Sequence, residues 1–214
     1  MTRQQSVWFS AVFLIAMVTA VSLPFASVAN AQERKFEASY TASSATELSV
    51  ESGVGSVELI RYSGDTIEVE MVAEEAETSF FSDANLDAVE LRAEQNGNRL
   101  DLSVPEQDNV KLTWRIKMPQ VASVNIDLGI GEVIGEMNAA DLDVDIGIGE
   151  LDVIVFGEVA DVKADVGIGD VNIEGAMKQQ KERAFISASG NAEGRGQARV
   201  NVDVGIGEAN ITIQ

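Results

Sequence analysis

Eight carboxylates stand at fixed offsets from paired glycines, and theirs is the spacing that most suggests chemistry. Asp127, Asp145, Asp165 and Asp203 each lie two residues before one glycine, and Glu132, Glu150, Asp170 and Glu208 each follow directly on a second. Carboxylates in rows could offer oxygen ligands to a hard cation such as Ca²⁺. A carboxylate beside Lys163 could serve an enzyme that acts on acidic polysaccharides. Neither reading is well supported by the rest of the sequence. Dedicated Ca²⁺ sites mix carboxylates with backbone and amide oxygens, and the tandem Gly-Gly-x-Gly-x-Asp nonapeptide of calcium-binding β-helices is absent. Lys163 is one lysine among acids, which reads as relief of like charge. Neighbouring carboxylates about 5 Å apart repel by only about 0.8 kcal/mol in water, so a solvated face tolerates them and gains protection against edge-to-edge aggregation.

Histidine and cysteine are both absent. Their absence removes the commonest general base, the Ser-His-Asp and Cys-His arrangements, and every zinc site built on those residues. The glycines form no dinucleotide fingerprint either, because Ile134, Asp152 and Asn172 occupy the third glycine position of G-x-G-x-x-G in the first copies. We therefore expect no catalytic, cofactor-binding or metal-ligating residues and no cofactor: a non-enzymatic protein.

The elements that carry the acids repeat. Gly-Ile-Gly-acid occurs at Gly129, Gly147, Gly167 and Gly205, with steps of 18, 20 and 38 residues, and a looser copy, Gly53-Val54-Gly55-Ser56, comes earlier. The step of 38 suggests two periods, with one repeat masked by an insertion between Ala176 and Arg199. Before each glycine pair apolar residues alternate with polar ones, as in Val124, Ile126, Leu128 and Ile130 or Leu142, Val144, Ile146 and Ile148. This is the period of a β-strand. After the pair the phase slips to Leu151, Val153 and Val155, or to Val171 and Ile173. An odd step exchanges the two faces of a strand, so the chain must turn at the second glycine, which tolerates positive φ. Strand, glycine corner and strand, repeated about every 19 residues, predict an all-β, single-domain parallel β-solenoid. Ile130, Ile148 and Ile168 are expected to stack inside it. An antiparallel sandwich is the alternative that shares the alternation. An outer-membrane barrel is disfavoured by few aromatics and a final Thr212-Ile213-Gln214.

The N-terminus reads as a targeting segment. Arg3, an apolar run from Val7 to Val21, Pro24 and Ala29-Asn30-Ala31 make the pattern of a cleavable secretory signal. Residues 1–31 are thus assigned to a signal peptide, 32–36 to a short linker and 37–214 to the β-solenoid domain, with no integral membrane span after cleavage. The first half of that domain is less regular. Glu47 to Glu51, Val57 to Tyr62, Thr66 to Val72, Val89 to Ala93, Leu100 to Val104 and Val110 to Met118 alternate like strands, and Asn96-Gly97-Asn98 reads as a hairpin turn. Glu74 to Asp87 reads as a loop with one helical turn, its Phe80 and Phe81 closing one end of the core.

A formal net charge of −20 repels phosphate backbones, so nucleic acid is not an expected partner. Against this background Lys178, Lys181, Arg183, Arg195 and Arg199 form a basic island, expected to be an exposed loop.

The strand ending in Met118-Pro119, the segment Val124 to Leu128, the repeated Gly-x-Gly-acid coils and the stretch from Lys178 through Phe185-Ile186 to Gly194-Arg195-Gly196 resemble the putative adhesin family of bacterial envelope β-solenoids, also called toast-rack domains. The resemblance covers about Leu48 to Gln214. It implies right-handed coils, a periplasmic or cell-surface location and an unknown envelope protein or polymer as partner. It implies no agreed activity. Divalent-cation response and polysaccharide-directed catalysis are the alternative functions.

Overall fold

The computed structural model describes residues 33–76, 84–105, 108–175, 178–184 and 187–214. The segment read from the sequence as a signal peptide and the loop expected around Phe80 and Phe81 lie outside them. The described chain is all-β: one mixed sheet of twelve strands, in the order β1-β3-β6-β2-β7-β8-β12-β9-β11-β10, with β4 and β5 beside this path. A three-residue 3-10 turn, Leu86–Ala88, is its one helical element. No helix among the described residues is long and apolar enough to cross a membrane.

Five long strands form the centre: β2 (Glu47–Arg61), β7 (Ser123–Asn138), β8 (Asp141–Phe156), β9 (Val159–Glu174) and β12 (Ala198–Ile213). They pair in parallel and in register, with Ile126 beside Val144, Gly131 beside Gly149 and Val133 beside Leu151. Only two residues separate Asn138 from Asp141, yet Asp141 sits beside Ser123, at the other end of β7. Two residues span about 10 Å, whereas sixteen extended residues run about 53 Å. β7 must therefore double back on itself. The reversal falls at the glycine pair, where Gly131 has φ +146° and Gly149, Gly169 and Gly207 have similar values. Apolar side chains from both limbs, such as Ile126, Leu128, Val133 and Met137 of β7, are then buried together. Each such Val, Leu or Ile contributes about 1.5–3 kcal/mol.

The rest of the sheet departs from the expected parallel stack. β3 (Thr66–Glu75) pairs antiparallel with β1 (Glu33–Thr41) on one side and with β6 (Val110–Met118) on the other. β4 (Arg92–Asn96) and β5 (Arg99–Ser103) form an antiparallel hairpin about Gly97, as the Asn-Gly-Asn turn predicts. β5 and β6 each pair in parallel with one limb of β2, so two separate strands stand where the neighbours have one bent strand. β1 begins at Glu33, inside the segment read from the sequence as a linker.

The masked repeat is also corrected. Between β9 and β12 the chain forms a hairpin, β10 (Lys178–Ala184) and β11 (Ser187–Glu193), which pairs antiparallel with the outer edge of β9. The chain then returns, and β12 lies between β8 and β9, parallel to both. Sequence neighbours β8 and β9 are thus not sheet neighbours. The crossing is tight: Gly194 and Gly196 donate their N–H groups to the carbonyls of Ala160 and Val159 at 2.9 Å. A side chain at Gly196 would collide with the Glu158 carbonyl.

Candidate binding face

The isoleucines of the Gly-Ile-Gly copies stack on one another, but outside the molecule. Ile130 pairs with Ile148, Ile148 with Ile206 and Ile206 with Ile168, while Val54 continues the row beyond Ile130. Their exposures are 49% for Ile130, 48% for Ile148, 45% for Ile206, 47% for Ile168 and 40% for Val54. They are the only exposed large hydrophobic residues among those described. The expectation that these residues line the core is overturned. Leu128 and Val133 are the inward residues on either side of the reversal, and the four residues between them make the turn. A residue at the apex of a convex turn has no interior to face. Simple alternation, carried one step too far, counted Ile130 with Leu128.

The acid rows form as predicted. Asp127, Asp145, Asp203 and Asp165 are register partners, and so are Glu132, Glu150, Glu208 and Asp170. One row lies on the first limb of each strand and the other at the end of the turn, so the apolar ladder runs between them. Adjacent parallel strands are about 4.8 Å apart, which makes each row of four about 14 Å long and the five-residue ladder about 19 Å. Among the described residues Asp127, Asp145, Glu132, Glu150 and Glu208 make no ion pair. Asp170 accepts a hydrogen bond from the Val171 N–H. No three carboxylates among the described residues converge as metal ligands would.

Lys163 sits on the outward face and is committed to Asp165 at 2.7 Å. That hydrogen bond, with the charges of Asp165 and Asp203, raises the lysine's pKa. It is therefore a firm cation, not a base. The basic island is divided. Arg195 is exposed, Arg199 approaches Asp161 at 3.7 Å, and the Lys178, Lys181 and Arg183 side chains lie outside the described residues, although their backbone belongs to β10.

The ladder ends at a cleft. Beyond Val54 the next sheet position is filled by the separate strands β5 and β6, so no further apex residue follows. There Val54 and Ile130 join Val104, Pro105, Val110 and Leu112 around an apolar recess of about 310 Å³. Nothing in the repeat announced it, because it arises where the repeat fails.

No family model matches the sequence, and no curated protein matches it. Among solved structures, a putative cell adhesion protein from Clostridium sporogenes is 15% identical, with a TM-score of 0.49 over 86% of this chain and 100% of its own. A putative adhesin from Parabacteroides merdae is 12% identical, with a TM-score of 0.34 over 85% of this chain and 82% of its own. One from Parabacteroides distasonis is also 12% identical, with a TM-score of 0.31 over 83% of this chain and 70% of its own. The structural neighbours thus carry the adhesin description that the sequence resemblance pointed to.

Proposed function

We propose that this chain is an exported, non-enzymatic cell-envelope module, adhesin-like in role, whose contact surface is the isoleucine ladder. The observation that carries this reading is the exposure of five aligned β-branched side chains in a sheet that otherwise buries its apolar residues. Contiguous exposed apolar side chains rimmed by charge are a common mark of an interaction site. Its repetition on successive strands gives a linear face suited to an extended partner. The architecture that presents it is a β-solenoid formed by the central strands, with the antiparallel strands as its two ends. Capping of this kind keeps terminal coils from exposing unpaired edges. Export is supported by the arrangement of Arg3, the Val7 to Val21 run and Ala29-Asn30-Ala31.

The contact reading is tested with a triple variant, Ile130→Thr, Ile148→Thr and Ile206→Thr, in a saturation assay of purified protein on envelope fractions. Loss of the saturable component is expected; equal binding by the variant rejects the ladder as the contact face. The coil is tested separately. The chain has no cysteine, and Asn125 lies beside Asp143 on neighbouring strands. Cysteines at both positions should form a disulfide, since adjacent strands at about 4.8 Å match the Cα spacing of a disulfide. Mass spectrometry of protein recovered from the envelope should find a chain that begins at Gln32.

A further inference from the structure

We infer that the partner of the ladder is a basic amphipathic polypeptide segment, which lies along the isoleucines and anchors one apolar side chain in the cleft beside Val54. This deepens the contact-face reading and rests on it. The ladder demands an apolar counterpart, because its own side chains offer no hydrogen bond. The borders demand positive charge. Asp127 and Asp145 on one side and Glu132, Glu150 and Glu208 on the other are exposed and make no ion pair among the described residues. Lysine or arginine side chains flanking an apolar stripe satisfy both demands at once.

The same observations argue against other occupants. A second copy would bring acid row against acid row at a net charge of −20 per chain. Five side chains also make a small face beside the roughly 800 Å² per partner that a stable dimer buries. An anionic lipid surface meets the same repulsion. Strand addition is not available along the ladder, because the long strands that carry it already have a paired strand on each side. The partner therefore engages through side chains. A helix covers the ladder's length of about 19 Å with about 13 residues, presenting apolar positions at i, i+3, i+4 and i+7 with basic residues on either side. The cleft terminates the track. Its wall of Val104, Pro105 and Leu112 is apolar and accepts an aliphatic or aromatic tip at the end of the helix.

The probe is a synthetic helical peptide of about 15 residues, with a leucine stripe flanked by lysines, titrated against the full processed protein by fluorescence anisotropy. Two matched peptides replace every lysine with glutamine or with glutamate. We expect binding of the lysine peptide that weakens about tenfold in Ile148→Thr/Ile206→Thr. It should weaken severalfold in Glu150→Gln/Glu208→Gln, and again when salt is raised. Unfolding midpoints of both variants show whether they remain folded. Equal affinity for the glutamine peptide would overturn the basic partner while leaving the ladder a contact face. Lysine-peptide binding that ignores the isoleucine substitutions would also overturn the inference, because the peptide would then be held by diffuse charge. Failure of all three peptides to bind would overturn it as well. The contact-face reading falls separately, if envelope binding survives the triple substitution.

Discussion

Gly207, the second glycine of its pair, and Gly53, the first of its own, should respond very differently to alanine. At Gly207 φ is +148°, and an added Cβ would drive into the carbonyl oxygen of Gly149. At Gly53 nothing lies within 4 Å of such an atom. Gly207→Ala should cost at least about 3 kcal/mol, since both strain and a backbone clash oppose it. Gly53→Ala should stay within about 1 kcal/mol. Urea midpoints followed by Trp114 fluorescence distinguish them. Charge at the other end of the sheet makes a second residue-scale prediction. Lys35 contacts Glu37 at 2.8 Å and Glu70 at 2.9 Å. Its hydrogen bonds to Glu37 and then Glu70 raise its pKa above 10.5. The Lys35 hydrogen bond lowers that of Glu70 below 4.5. A lowered acid stabilises the fold above its unfolded pKa and loses that effect as pH falls through the folded value; a raised lysine loses it as pH rises through its own. The stability difference between wild type and Lys35→Met should therefore be flat between about pH 5 and 10 and shrink at both extremes. A difference that grows towards low pH would contradict the assignment.

At the scale of the element, the bent strands hold by burial on the inside and tolerate change on the outside. Trp114 of β6 is fully buried, and its Nε1–H donates to the Ser52 hydroxyl of β2 at 3.1 Å. Ser52→Ala leaves that donor buried without a partner and should cost about 1–3 kcal/mol, read as a shifted denaturation midpoint and an altered Trp114 emission. The ladder should behave in the opposite way. Ile148→Thr keeps β-branching on an exposed apex, so its effect on stability should lie within about 0.5 kcal/mol. A larger loss in thermal unfolding would mean that the side chain packs against the fold and is not presented to a partner.

At the scale of the whole molecule, β12 is the keystone. β9 and its hairpin of β10 and β11 reach the rest of the sheet through β12, which pairs with β8 on one side and β9 on the other. Removing residues 198–214 strips both strands of their partner and bares two edges. Hydrogen exchange should show lost protection across residues 159–193 and retained protection in 47–138, as expected when coils depend chiefly on their neighbours. Uniform loss over both regions would show that the sheet is one cooperative unit. Insertion of the last strand between two earlier ones also places its contacts far apart in sequence, an arrangement that slows folding.

Strand periodicity, the glycine corners and the equivalence of the acid rows are legible in the amino acids alone, because each is written locally and repeated in the same letters. Gly131, Gly149 and Gly207 declared a corner, and Asp127, Asp145 and Asp203 declared a register. Two things waited for the tertiary structure. Which way Ile130 faces depends on where within four residues the chain turns, and alternation counted along a line cannot express a convex apex. Where β12 sits depends on which edge has a vacancy. β8 and β9 offer nearly the same pattern of Val, Ile and Gly to an incoming strand, so only the whole sheet, with β10 and β11 already on the far side of β9, left the slot between them.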